Sequence, residues 1–190
     1  MTLSKKIAGK KILMVIAKKD FRDEEYFVPH EMFQKEGASV TTASSVKGEV
    51  VGVEGGEARS TMTLKEANPK DFDAVVFIGG EGAKEYFDND EAHKIVQEFN
   101  SMRKIVAAIC IAPVILARSG ILKVKKATVW SSLANKSGLK ELESAGCNYC
   151  DEGVVVDGNI ITADGPAKSE EFAQAVIEAL SRPADGKKQA

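Results

Sequence analysis

The stretch that decides the fold is KIVAAICIAPVILARSG, Lys104 to Gly120. A short apolar run at residues 105–109 is followed by one cysteine and by a second apolar run at residues 111–118. The first run is typical of a buried parallel strand and the second of a buried helix. Cys110 therefore lies between strand and helix. Two interpretations are open: a small hydrophobic side chain in a core, or a nucleophile held at a sharp turn.

The rest of the chain alternates in the same manner. Buried strands that alternate with helices indicate a mostly parallel central sheet with helices on both faces, here with a small β-hairpin. We therefore predict an α/β fold in one domain over residues 1–190, with its core at about 11–180 and polar tails at both ends. The predicted strands are 11–17, 39–45, 74–78, 105–109 and 127–130, the hairpins are 49–63 and 154–162, and the helices are 20–37 (with a kink or a late start at Pro29), 89–103, 111–118, 133–144 and 169–180.

Composition argues against several classes of protein. The 190 residues carry a net charge of −2 and contain no block of lysine and arginine, so we expect no nucleic-acid partner. The apolar runs are too short to span a membrane, and we interpret the Lys-flanked N-terminal run as a first strand rather than a signal peptide. Three cysteines are few and odd in number for a secreted protein, so we expect a reducing cytoplasm.

The surroundings of Cys110 suit a nucleophile elbow. Such a turn needs small residues two positions away on either side, and these are Ala108 and Ala112. A thiol at the start of a helix also lies near the positive end of the helix dipole, which favours the thiolate. Pro113 is acceptable in a first helical turn. A buried structural cysteine would fit the same pattern, so both interpretations remain open.

A nucleophilic thiol needs a partner, and the sequence offers few. Neither His30 nor His93 is placed near Cys110 by the pattern, so we do not expect a Cys–His–Asp triad. Carboxylates are the better candidates, because Asp23, Glu24 and Glu25 follow the first strand. Interaction with a helix dipole accounts for the first two, and the pattern alone does not decide the role of Glu25. A partly buried carboxyl there would have a raised pKa and could exchange a proton with the thiol.

Two further observations concern backbone donors and metals. Gly79 and Gly80 end the strand before the elbow strand, and their N–H groups, with that of Ile111, could form an oxyanion hole. The CNYC segment, Cys147 to Cys150, precedes a strand instead of opening a helix, which is unlike a redox motif. It also lacks two further zinc ligands. We predict no metal and no cofactor.

Taken together, these pieces resemble the ThiJ/PfpI (DJ-one) superfamily, which is of the class I glutamine-amidotransferase-like type. The resemblance covers residues 11–180. It rests on KILMVIA, on DFRDEEYFVP with its Glu four residues before Pro, on DFDAVVFIGG, on AAICIAP, and on VVVDGNIITADGP followed by a final helix.

The resemblance implies a flavodoxin-like three-layer sandwich and a homo-oligomer, either a dimer or a larger assembly. By position, it implies that Cys110 is the elbow cysteine, that Glu25 hydrogen-bonds it, and that Gly80 and Ile111 are the oxyanion-type donors. Members of the superfamily act as cysteine peptidases, as cofactor-free glyoxalases or deglycases, as chaperones, or as sensors of oxidative stress.

Four positions bear on which activity applies. Peptidase-type members carry His directly after the elbow cysteine, where this chain has Ile111. Other members place a His where this chain has Trp130 or Ser131. Many have an Arg where Asp164 stands. Glu85 is the nearest match to a glutamate that peptidase members draw from a neighbouring subunit.

The sequence therefore supports three hypotheses. The first is glyoxalase or deglycase chemistry on a 2-oxoaldehyde or its adducts by a Cys110–Glu25 pair. The second is a stress sensor or chaperone that works through oxidation of Cys110. The third is a peptidase, which Ile111 in place of His disfavours. The expected partner is a small-molecule aldehyde or a peptide substrate, in a pocket lined by residues such as Phe21 and Trp130.

Overall fold

A seven-stranded sheet forms the centre of the molecule, and all but one of its strand pairs are parallel. The computed structural model describes residues 5–182. The strands are β1 (Lys11–Val15), β2 (Lys19–Phe21), β3 (Ser39–Ser44), β4 (Gly48–Gly52), β5 (Glu57–Ser60), β6 (Met62–Thr63), β7 (Ala74–Phe77), β8 (Ile105–Ile109), β9 (Lys126–Ala127), β10 (Asn148–Tyr149), β11 (Val154–Asp157) and β12 (Ile160–Ala163). The helices are α1 (Asp23–Lys35), α2 (Asp90–Ser101), α3 (Pro113–Arg118), α4 (Ser137–Ser144) and α5 (Ser169–Ser181).

The order of the central sheet is β11-β12-β8-β7-β1-β3-β6, with only the β11–β12 pair antiparallel. Strands β7 and β12 are buried along their whole length, as the continuous apolar runs predict for a sheet covered on both faces. Helix α1 packs on α5, while α2 packs on α3 and α3 on α4, so two helical layers enclose the sheet. The predicted three-layer α/β sandwich is confirmed.

Several predicted elements are shorter in the structure. The strand predicted at 127–130 is only β9, which pairs with β10 in a separate two-stranded sheet. The helix predicted at 133–144 begins at Ser137, because Asn135 forms a turn that accepts the Ser137 N–H at 3.0 Å. The prediction of a late start at Pro29 was also wrong, because α1 begins at Asp23. The tails predicted at 1–4 and 183–190 lie outside the described residues.

No helix within residues 5–182 combines the length and the apolar character that crossing a bilayer requires.

Asp23 ties the first turn of α1 to a small outer sheet of β2, β4 and β5. Its buried carboxylate accepts the backbone N–H groups of Glu54 at 2.9 Å and Gly56 at 2.7 Å, which lie in the turn between β4 and β5. From the sequence, Asp23 is expected only to interact with the dipole at the helix start. The structure adds a second role, because this residue fixes the hairpin against α1, the helix that carries Glu25.

We expect Asp23→Ala to lower the free energy of unfolding by about 1–3 kcal/mol, because two hairpin N–H groups lose their acceptor. Glu24→Ala is the matched control, because Glu24 only pairs with Arg22 at a part-exposed site and should cost less than about 1 kcal/mol. Denaturant unfolding of both variants measures the difference. Equal, small effects would show that the Asp23 bonds do not stabilise the fold.

Candidate active site

Cys110 follows β8 directly and has φ = +64°, in the left-handed region that non-glycine residues rarely adopt. Two backbone hydrogen bonds hold it there: its N–H donates to the Ala163 carbonyl at 2.9 Å, and its carbonyl accepts the Trp130 N–H at 2.8 Å. Ala108 and Ala112 on either side are fully buried, so small residues are needed at both positions. The structure therefore has the elbow that the spacing predicts.

The thiol of Cys110 lies at the bottom of a cleft and is only 9% exposed. Its sulfur accepts the backbone N–H groups of Gly80 and Ile111, which lower the thiol pKa. Burial acts in the opposite direction and is the larger effect, followed by repulsion from an ionised Glu25, so the pKa of the Cys110 thiol is raised. The helix dipole is expected to favour the thiolate, but α3 begins only at Pro113, and burial outweighs the backbone donors.

Glu25 extends from the first turn of α1 and is completely buried. Its Oε2 accepts the Gly79 N–H at 3.0 Å, and the carboxyl hydrogen-bonds with the Cys110 side chain. Its Oε1 has no nitrogen or oxygen partner among the described residues. Burial raises the pKa of Glu25 to about 8, despite the opposing hydrogen bonds, so this carboxyl is protonated at neutral pH.

Glycine at positions 79 and 80 allows the cysteine and the carboxyl to meet. A Cβ on Gly79 would lie 2.6 Å from Cys110 Cβ and 2.7 Å from Glu25 Oε2. Gly80 has φ = +92°, and a Cβ there would lie 2.4 Å from the Asp20 carbonyl oxygen. The N–H groups of the two glycines bind different side chains. The Gly79 N–H donates to the Glu25 carboxyl, and the Gly80 N–H donates to the Cys110 sulfur.

The two side chains therefore titrate as one pair. Both pKa values are raised, so the pair carries two protons at acidic pH and loses the first near pH 8. In the resulting anion, the sulfur has two N–H donors and the carboxyl has one. The form with the charge on sulfur and the proton on Glu25 is an activated thiolate that a carboxylic acid hydrogen-bonds.

The cleft above Cys110 has a volume of about 290 Å³ and an aromatic wall, Trp130. Arg22 lies at its edge, where the guanidinium pairs with Glu24 at 2.9 Å and with Glu54 at 3.3 Å. Three lining residues, Arg22, Glu81 and Pro166, were not predicted from the sequence. Their only sequence signal is their place in loops that follow strands, which does not tell inward side chains from outward ones. The full lining is Arg22, Gly80, Glu81, Cys110, Ile111, Trp130 and Pro166.

A second cavity of about 290 Å³ is lined by Ser131 and Asp164, two further site residues predicted from the sequence, together with Trp130. It adjoins the cleft because Trp130 and Pro166 line both spaces. Ser131 and Asp164 therefore lie in a neighbouring space and do not line the Cys110 cleft. Burial raises the pKa of Asp164.

Four other residues considered from the sequence lie away from the cleft. Glu85 accepts the Lys18 N–H at 3.2 Å and the Ser45 hydroxyl. Phe21 is fully buried in the core and is not a pocket wall. His30 packs beside Tyr26, and a ring nitrogen of His93 hydrogen-bonds with the Phe87 carbonyl at 2.8 Å.

Cys147 and Cys150 are free thiols at β10, outside the cleft. The Cys147 thiol donates to the Lys125 carbonyl at 3.2 Å. Within residues 5–182, no group of three or more His, Cys, Asp or Glu side chains is arranged to hold a metal ion.

The raised pKa of Glu25 has a consequence for stability. Between pH 4.5 and about 8 the folded protein holds a proton that the unfolded chain has released, so the free energy of unfolding falls as pH rises. The slope from this one group is at most about 1.4 kcal/mol per pH unit. Because Gln cannot ionise, we expect Glu25→Gln to become more stable relative to wild type across this window. Unfolding of both proteins at pH 5, 6, 7 and 8 measures the trend, and a constant difference would contradict a buried, protonated Glu25.

Comparison with known proteins identifies relatives of this chain. The chain is 46% identical over 173 residues to an uncharacterized protein of Methanocaldococcus jannaschii, a match that covers 90% of this chain and 83% of that one. It is 32% identical over 154 residues to a protein of Pyrococcus furiosus named deglycase PfpI, covering 81% and 90% of the two chains. Other relatives are named deglycases, and one is provisionally named a cysteine protease.

Among solved structures, a ThiJ/PfpI domain protein from Brachyspira murdochii superimposes with a TM-score of 0.87 at 34% identity, covering 93% of this chain and all of that one. Residues 10–179, nearly the whole chain, match the DJ-1/PfpI family profile. The elbow cysteine, the sheet order and these matches lead to one conclusion: the chain belongs to the DJ-1/PfpI family.

Proposed function

We propose that this protein is a cofactor-free glyoxalase or deglycase that converts a 2-oxoaldehyde, free or released from its adducts, to a 2-hydroxy acid. The observation that supports this most is the buried Cys110–Glu25 pair, in which a protonated carboxyl contacts the thiol and two N–H groups bind the sulfur. A nucleophile with an adjacent proton carrier is sufficient for this reaction, because it is an internal oxidation and reduction of the substrate.

The first step forms a covalent bond. The Cys110 thiolate adds to the aldehyde carbon, and the alkoxide takes the proton of Glu25, which gives a hemithioacetal and a carboxylate. The carboxylate then removes the hydrogen of that carbon as a proton. The electron pair moves to the adjacent ketone and forms an enediolate.

The remaining steps restore the enzyme. The hydroxyl proton moves from the oxygen on the sulfur-bound carbon to the oxygen of the former ketone. Glu25 then returns its proton to the former ketone carbon, which leaves a thioester of the 2-hydroxy acid. Glu25 then takes a proton from water as the resulting hydroxide attacks the thioester carbonyl. The C–S bond breaks, and the acid leaves while Cys110 regains its thiolate. Overall, one water is added to the 2-oxoaldehyde and no external oxidant or reductant is used.

A Cys–His peptidase is less well supported. Such an enzyme needs an imidazole within hydrogen-bonding reach of the thiol, and neither His30 nor His93 lines the cleft. Ile111, which occupies the position after the nucleophile, presents an alkyl side chain to the cleft.

We expect Cys110→Ser to lower kcat/KM for methylglyoxal by at least about a thousandfold, because a hydroxyl beside a carboxylic acid is a far weaker nucleophile than a thiolate. Cys147→Ser is the matched control, because Cys147 is also buried but lies outside the cleft. Formation of lactate measures turnover. Equal losses in both variants, or none in Cys110→Ser, would exclude covalent catalysis by Cys110.

Glu25→Gln should lower kcat by about 10²–10⁴-fold, because Gln keeps the shape of Glu but carries no transferable proton. In the wild type, kcat/KM should rise toward pH 8 as the pair loses its first proton. In Glu25→Gln that rise should move to higher pH, because burial still raises the pKa of the thiol. Lactate formation from pH 5.5 to 9.5 gives both profiles. Superimposable profiles would remove Glu25 from the mechanism.

A further inference from the structure

A smaller cavity of about 180 Å³ opens beside the Cys110 cleft. The two spaces adjoin, because Glu81, Ile111 and Trp130 line both. Ile111 directly follows the nucleophile, so its side chain borders the cleft on one side and this cavity on the other. We call this cavity the side pocket.

The inner walls of the side pocket are hydrocarbon. Phe87 and Val114 line it together with Ile111 and Trp130. Gly138 completes one wall, where a Cβ would lie 3.0 Å from Val129 and 3.3 Å from the Trp130 carbonyl oxygen, so α4 approaches the Trp130 loop closely. An apolar group that enters this space exchanges water for carbon contacts on several sides.

The charged residues at the rim are already paired. Lys84 forms an ion pair with Glu81. Glu141 Oε1 accepts a hydrogen bond from the Arg118 guanidinium at 2.7 Å. The same guanidinium lies over the Phe87 ring, 5.3 Å from the ring centre. A charged ligand could bind one of these side chains only after its ion pair had broken. The rim therefore favours an uncharged occupant.

We propose that the side pocket receives the substituent on the ketone carbon of the substrate, and that this substituent is an uncharged aryl or branched alkyl group. The proposal rests on the glyoxalase function above, because it assigns the substrate class of that same site. A substrate whose aldehyde carbon bonds to Cys110 has its ketone carbon one bond away, near the Ile111 side chain that lines both the cleft and the side pocket. A methyl substituent leaves most of the side pocket empty, whereas a phenyl group fills much of it.

The kinetic test compares phenylglyoxal, followed as mandelate, with methylglyoxal, followed as lactate. We expect kcat/KM for phenylglyoxal to exceed that for methylglyoxal by about tenfold or more, because each additional carbon in a fitting apolar pocket contributes to discrimination. Ser137 is exposed and lines the rim, so Ser137→Phe should block the pocket. That variant should lose the preference, so that its ratio of the two kcat/KM values falls to about one or below. Ser137→Ala keeps the pocket open and is the matched control.

A binding test separates this proposal from the proposed activity. Trp130 is the only tryptophan of the chain and lines the side pocket, so its fluorescence reports occupancy. In the Cys110→Ser protein, acetophenone should change Trp130 emission saturably, acetone should not at equal concentration, and Ser137→Phe should abolish the acetophenone response. Ser137→Ala should retain it.

The outcomes are distinguishable. If neither oxoaldehyde is turned over while acetophenone binds as described, the proposed function fails and the side pocket remains a site for aryl groups. If kcat/KM for methylglyoxal equals that for phenylglyoxal, the side-pocket proposal is overturned. It is also overturned if acetophenone changes Trp130 emission in Ser137→Phe as it does in the protein with Ser137. Loss of both activities in Ser137→Phe with unchanged acetophenone binding would also overturn it.

Discussion

The left-handed backbone conformation of Cys110 is the constraint on which the candidate site depends. A non-glycine residue in this region costs of order 1–3 kcal/mol, and it persists only where the surroundings hold it. Here the Ala163 carbonyl at the end of β12 and the Trp130 N–H hold the residue from two sides. The second contact also holds the Trp130 loop beside the cleft, so one backbone arrangement both presents the thiol and supplies the aromatic wall.

Burial then determines the chemistry that this thiol can perform. An exposed Glu25 would be ionised at neutral pH and would repel a thiolate. Complete burial raises the pKa of Glu25 to about 8 and keeps a proton beside the sulfur. Burial also raises the pKa of the thiol, and the N–H groups of Gly80 and Ile111 oppose that effect. The pair is thus one acid with a transferable proton, which suits a reaction made of successive proton transfers.

Ile111, the residue after the nucleophile, bears both on the chemistry of the thiol and on the proposed substrate preference. With Ile at position 111, no imidazole adjoins the thiol from that position, which weakens a peptidase mechanism. The same side chain forms the partition between the cleft and the hydrocarbon side pocket. The identity of residue 111 would therefore affect both the available proton carriers and the proposed preference for a substituent.

The sequence by itself determined the architecture and the position of Cys110 at the turn between a strand and a helix. Apolar strand runs that alternate with amphipathic helices specify a mostly parallel sheet, and the alanines around Cys110 specify an elbow, because both are local consequences of burial and steric fit. The choice of Glu25 over Asp23 and Glu24 came from family resemblance, since the residue pattern did not separate the three. Only the tertiary structure decided which loop side chains face the cleft. Arg22 and Glu81 line it and Glu85 does not, although all three belong to loops at the same edge of the sheet. That choice, like the raised pKa of Glu25 and the role of Asp23 at the hairpin, depends on contacts between segments far apart in the chain, and local spacing carries no information about them.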